Sequence, residues 1–78
     1  MDEKQTQKFY VDLREIIQAG NVELNVGTKL ADYAWDSLAW VSTMALIDDL
    51  TGVVVDAKKL AGCETVGDIL GLIERGGR

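Results

Sequence analysis

A chain of 78 residues with a single cysteine, Cys63, and no histidine can form no intramolecular disulfide and no Cys/His zinc site. Chains of this size ordinarily need such a staple unless their helices pack well. Stability must then come from one small packed core, and a single domain over residues 1–78 is expected. The missing histidine also removes the commonest general base, so no Ser-His or Cys-His nucleophile can be assembled from this chain alone. Chemistry at a serine would have to be supplied by another protein, and the chain is not expected to be an enzyme or to hold a metal.

Thirteen acidic residues against eight basic ones give a formal charge of −5. The basic residues are scattered, whereas binding to phosphate backbones needs a concentrated positive surface, so no nucleic-acid partner is expected. A partner bearing a basic patch is the natural complement. No charged-then-apolar leader appears and no apolar run is long enough to span a bilayer, so no membrane partner is expected. One unpaired thiol fits a reducing, cytoplasmic setting.

Proline is absent, so glycine and short polar side chains provide the punctuation. The spacing of Phe9, Leu13, Ile16 and Ile17 predicts a first helix from about Glu3 to Gln18, ended by Ala19-Gly20-Asn21. From Val22 to Trp35 the apolar residues recur at mixed spacing. This reads as a long loop with room for a short turn, either a binding loop or a strap whose apolar side chains pack across helix ends. Asp36 or Ser37 can cap a second helix running to about Thr51, stopped by Gly52. Val53-Val54-Val55 reads as an extended connector with inward-facing valines. Asp56 caps a short turn through Leu60, and Thr65 caps a last helix from Val66 to about Glu74 with Val66, Ile69, Leu70 and Ile73 inward. The fold class is all-α, a bundle of three main helices and a short fourth with a long first loop.

Placing residues about 100° apart sorts the helix after Ser37 into two faces. Ala39, Trp40, Thr43, Met44, Leu46, Ile47 and Leu50 form the core face. Ser37, Leu38, Val41, Ser42, Ala45, Asp48 and Asp49 lie opposite. A solvated face would be charged along its length, yet Leu38, Val41 and Ala45 make an apolar stripe ending in two aspartates, the pattern of a protein-docking surface. Ser37 heads this stripe, close to the positive end of the helix, where a covalently attached phosphate would be favoured. The residues themselves leave open whether Ser37 is a cap or a modification site.

Asp36-Ser37-Leu38, opening a helix that ends in Ile47-Asp48-Asp49-Leu50-Thr51-Gly52, resembles the acyl carrier protein family of fatty acid, polyketide and peptide synthesis. Agreement continues through Val55, Asp56 and Leu60 to Thr65-Val66-Gly67-Asp68-Ile69-Leu70. The resemblance implies a phosphoprotein in which a phosphopantetheinyl transferase attaches a 4′-phosphopantetheine arm, taken from coenzyme A, to Ser37. The arm's thiol then holds an acyl group as a thioester. It implies that Asp36 helps the transferase engage, and that Leu38 and the following helix, with Val41, Ala45, Asp48 and Asp49, meet partners. Those partners are acyl-loading ligases, acyltransferases or synthases, and the carrier is expected to be a monomer.

Several positions depart from the family pattern. Ala34 replaces a usual glycine, and Thr51 stands where phenylalanine is common, so Leu50 is expected to take over part of that packing. Trp35, small in many relatives, either anchors the loop or lies against the arm or a partner. Trp40 packs in the core or fills the space in which fatty-acid carriers hide a growing chain. Ser42 stands where glutamate is frequent, which weakens steering by basic partners and points to a specialised biosynthetic pathway. The serine motif leaves an aminoacyl or peptidyl carrier as the alternative, and a small helical interaction domain without an arm as the reading from a different class. Cys63 has no basic neighbour in sequence and is followed by Glu64, so it reads as a small buried residue at the start of the last helix, without a lowered thiol pKa.

Overall fold

The computed structural model describes residues 1–77. Helix α1 (Glu3–Ile16) begins where the Asp2 carboxylate accepts the Gln5 amide at 2.8 Å and the Gln5 side-chain oxygen accepts the Asp2 amide at 3.1 Å, a reciprocal pair that satisfies two otherwise orphaned donors. Phe9, Leu13 and Ile17 recur every four residues and are fully buried. The helix stops two residues before the expected end. Gln18 takes a left-handed conformation (φ 58°), its amide donates to the Glu15 carbonyl, and the Ala19 amide donates to the Arg14 carbonyl. That pairing closes the last turn ahead of Gly20, with a non-glycine residue at the position that usually needs none of the Cβ strain.

Helix α2 (Ser37–Thr51) runs back along α1. The Gln5 side-chain amide donates to the Leu50 carbonyl at 2.6 Å, and the Ala34 amide donates to the Ile17 carbonyl at 3.0 Å, so each end of α1 meets the opposite end of α2. Gly52 ends α2 at φ 75°, donating to the Asp48 carbonyl. Thr51 turns its hydroxyl onto the Ile47 carbonyl, and Leu50 packs partly buried against the core, as expected. Helix α3 (Ala57–Ala61), capped by Asp56, packs on α2 and buries Leu60.

The loop between α1 and α2 contains one 3-10 turn, Leu30–Asp32. Its backbone supplies the missing partners of helix α4 (Val66–Glu74): the Val66 amide donates to the Thr28 carbonyl, Gly67 to Val26 and Leu30 to Glu64. A Cβ on Gly67 would lie 2.9 Å from the Val26 carbonyl oxygen, so this close approach requires glycine. Leu24 and Leu30 are buried beneath the loop, while Val22 and Val26 stay exposed. Of the two expectations, the strap across helix ends is the one found.

Two expectations are corrected. In the connector only Val55 is buried and Val53 half-buried; Val54 is 75% exposed, because an extended segment turns alternate side chains to opposite sides. In α4 the fully inward set is Val66, Ile69, Leu72 and Ile73, and Leu70 lies at the core's edge, since Leu72 falls three residues after Ile69 on the same stripe. Among the described residues there is no strand, and no helix is long and apolar enough to cross a membrane.

Candidate functional site

At the start of α2 two polar side chains stand side by side with different duties. Asp36 has extended backbone (φ −126°, ψ −175°) and its carboxylate accepts the Ala39 amide at 3.0 Å. It is the cap. Ser37, the first helical residue, is exposed, and among the described residues its hydroxyl has no hydrogen-bond partner. Its amide and that of Leu38 are also unpaired, whereas the Trp40 amide already donates to the Asp36 carbonyl. The ambiguity left by the residues alone is thus resolved: Ser37 is not used as a cap. An exposed hydroxyl beside two free amides at the positive end of a 15-residue helix is chemically suited to hold a phosphodiester.

The two faces of α2 separate as the periodicity predicts. Ala39, Thr43 and Ile47 are buried, with Trp40, Met44, Leu46 and Leu50 partly buried against the core. Leu38 is 75% and Val41 58% exposed, and Ala45, Asp48 and Asp49 are exposed below them. Val54, absent from the expected set, extends this stripe. It lines, with Val41, Met44, Ala45, Asp48 and Val55, a shallow groove of about 260 Å³ between α2 and the connector. The signal that could have found it is the in-out alternation of three consecutive valines.

Trp35 anchors the loop. Its indole N–H donates to the Leu60 carbonyl at 3.2 Å, tying the residue two before Ser37 to α3. Trp40 points into the core face as expected, but its indole nitrogen and the Thr43 hydroxyl are buried with no partner among the described residues. Cys63 is half-buried rather than buried, ahead of the Thr65 cap of α4, because it lines a surface groove. Burial pushes its thiol above the ordinary value; the Asp68 carboxylate adds to this and Arg75 opposes it. No lowered thiol pKa is present, in agreement with its sequence surroundings. Among the described residues no cluster of acidic or sulfur side chains has the makings of a metal site.

Comparison with protein families gives a match between residues 10–73 and the family model described as a phosphopantetheine attachment site. The matched segment contains α2, α3 and the intervening loops in full. The group attached in that family is 4′-phosphopantetheine, held covalently, and its domains serve as carriers that meet a phosphopantetheinyl transferase and acyl-handling enzymes. No curated protein and no solved structure matched the chain.

Proposed function

The chain belongs to the phosphopantetheine-attachment family, and from that membership we propose that Ser37 is the attachment residue and that residues 1–78 work as a single acyl carrier domain in a specialised biosynthetic pathway of the cytoplasm. The observation that carries this reading is the division of labour at the head of α2. Asp36 holds the helix start, which leaves the Ser37 hydroxyl exposed and unbonded.

With the arm in place, its terminal thiol supplies the nucleophile that takes up an acyl group as a thioester. The residues of the chain present and orient. Ser37 offers an oxygen to the transferase, whose own base must remove the proton, since no histidine stands near it. The free amides of Ser37 and Leu38 favour the phosphodiester's negative charge. Asp36 keeps the first turn formed while the transferase engages.

Leu38, Val41 and Ala45, joined by Val54, offer partner enzymes an apolar contact, with Asp48 and Asp49 placed for basic residues at its edge. Ser42 in place of an acid leaves this surface with fewer charges than a carrier steered to many basic partners would use, which supports a narrow partner set and a specialised pathway. These partners are a phosphopantetheinyl transferase and ligases, acyltransferases or synthases that load and unload the arm.

Incubation with coenzyme A and a broad-specificity phosphopantetheinyl transferase, followed by intact-mass measurement, tests the reading. One phosphopantetheine is expected on the native chain and none on Ser37→Ala; an unmodified native chain defeats it. Loading the modified protein with acyl and aminoacyl groups by candidate ligases then separates an acyl carrier from an aminoacyl or peptidyl one.

A further inference from the structure

Ser37 is flanked by two tryptophans whose indole N–H groups have opposite fates. Trp35, two residues before it, donates to the Leu60 carbonyl at 3.2 Å; Trp40, three residues after it, has its indole nitrogen buried with no partner among the described residues. The Trp35 bond crosses from the first loop to the end of α3. That helix has only five residues, and the carbonyls of its last turn lack helical partners of their own. Leu60 is fully buried, which keeps water from its carbonyl; the Cys63 amide reaches it at 3.0 Å and the Trp35 indole adds a bond from outside the helix.

The segment that delivers Ser37 is held at every step. The Tyr33 amide donates to the Leu30 carbonyl at 3.0 Å and the Ala34 amide to the Ile17 carbonyl at 3.0 Å, just past the end of α1. The Trp35 amide donates to the Tyr33 carbonyl at 2.9 Å, which closes a tight turn at Ala34. Asp36 accepts the Ala39 amide through its carboxylate and the Trp40 amide through its carbonyl. Freedom begins at Ser37 itself, whose hydroxyl and amide are unbonded among the described residues. Trp35 supplies the tie to α3, and two residues of chain span at most about 7 Å, so a displacement of Trp35 carries directly to the serine.

We propose that Trp35 is a positioning residue for the modification of Ser37, an inference that rests on the attachment reading above. In that reaction the Ser37 oxygen attacks the phosphorus of coenzyme A that bears the pantetheine. The new P–O bond forms as the bond to adenosine 3′,5′-bisphosphate breaks, and the hydroxyl proton passes to the transferase's base. The displacement needs oxygen and phosphorus in line, and a misplacement of about 1 Å costs about 10²-fold. The indole bond fixes the turn before Ser37 to α3, so the hydroxyl meets the transferase in one orientation relative to α2. Leu38 and Val41 stay exposed for binding with or without that bond. Its loss therefore acts on the chemical step more than on association.

The test compares Trp35→Phe with Trp40→Phe in the full chain. Each keeps a ring and deletes one indole N–H, but only the first removes a hydrogen bond. Modification by coenzyme A and a phosphopantetheinyl transferase is followed by intact mass, well below both melting temperatures. Trp35→Phe is expected to lower kcat about tenfold while KM for the carrier stays within about twofold, and to lower the heteronuclear 15N NOE of the Ser37 and Leu38 amides. Trp40→Phe is expected to keep the native kcat, KM and NOE values, whatever it does to the melting temperature. Trp35→benzothienylalanine, with sulfur where the N–H stood, repeats the test without a change of packing and is expected to show the same fall in kcat. A native kcat in that variant, a fall that Trp40→Phe shares, or a change confined to KM overturns the positioning role and leaves the attachment reading standing. A native chain that gains no arm overturns both.

Discussion

Asp36 and Ser37 are adjacent, yet only one of them is committed to the helix: the Asp36 carboxylate accepts the Ala39 amide at 3.0 Å, and the Ser37 hydroxyl is unbonded among the described residues. The two therefore differ in what their removal does. Asp36→Ala loses the cap and is expected to cost about 1 kcal/mol. Ser37→Ala is expected to leave stability within about 0.5 kcal/mol, as for other surface positions, while abolishing modification. Urea titration of both variants beside the intact-mass assay checks the pair; a large destabilisation by Ser37→Ala would return that serine to a structural role.

Gln18 occupies a left-handed position at the end of α1 (φ 58°), where the Ala19 amide reaches back to the Arg14 carbonyl. Side chains with a Cβ are strained there by roughly 1 kcal/mol or more, and glycine is not. Gln18→Gly is expected to raise the urea midpoint by the equivalent of about 0.5–1 kcal/mol, the remainder being lost to the greater freedom of glycine in the unfolded chain.

Thr43 is fully buried on the core face of α2 and its hydroxyl has no partner among the described residues. An unpaired buried hydroxyl costs about 1–3 kcal/mol relative to a bonded one. Valine has the same branching and a methyl in place of the hydroxyl. Thr43→Val is thus expected to stabilise by about 1 kcal/mol in thermal or urea unfolding. A loss of stability would mean that the hydroxyl has found a partner in solution.

The long-period features of this molecule are legible in the chain and the long-range ones are not. The two faces of α2 could be read because a 15-residue helix repeats its pattern four times, so Val41 outward and Ile47 inward follow from spacing. Val54 escaped because three like residues in a row do not by themselves say which of them faces out, although the alternation of an extended segment requires that one does. The short α4 offered too few turns to rank Leu70 against Leu72. The loop's real task, offering the Thr28 and Val26 carbonyls as acceptors to the Val66 and Gly67 amides of α4, is done by backbone atoms 38 and 41 residues away in sequence, and no side chain announces it. The same holds for the site. Ser37 could be singled out only through resemblance, since spacing alone gives a serine at a helix start; that Asp36 takes the Ala39 amide and leaves the Ser37 hydroxyl unbonded among the described residues appears only in the fold.

Asp68 closes the reciprocal cap of α4. Its carboxylate accepts the Glu64 and Thr65 amides at 3.0 and 3.2 Å, and these bonds, that from Glu64 first, hold its pKa below the ordinary carboxylate value. A carboxyl whose folded value is depressed contributes stability above its unfolded value, near 3.9, and loses it as pH falls through the folded value. Asp68→Ala is accordingly expected to melt at lower temperature than the native chain at neutral pH, with the difference shrinking as acid protonates the native carboxylate. A pH-independent difference would place the effect in packing instead.

Leu38, Val41 and Val54 are exposed by 75%, 58% and 75%, so water already surrounds most of each side chain and little burial is lost when one is made polar. Surface changes of this kind ordinarily alter stability by no more than about 0.5 kcal/mol. If these residues form the contact made with partner enzymes, the same changes desolvate a polar group in the complex, and an unmatched polar group at the centre of an interface costs about 1–3 kcal/mol. Leu38→Gln, Val41→Gln and Val54→Gln are therefore expected to keep the native melting temperature while lowering transferase efficiency. The decrease expected is about tenfold at the position nearest the centre of the contact, read as kcat/KM for modification of Ser37. The ordering among the three reports where that centre lies. Leu38, next to the Ser37 hydroxyl proposed as acceptor, is expected to matter most to the transferase. Val54, on the far side of the groove it shares with Val41 and Ala45, is expected to matter least there and more to enzymes that reach across the connector. Equal and negligible effects at all three, with stability unchanged, would remove the stripe from the docking surface.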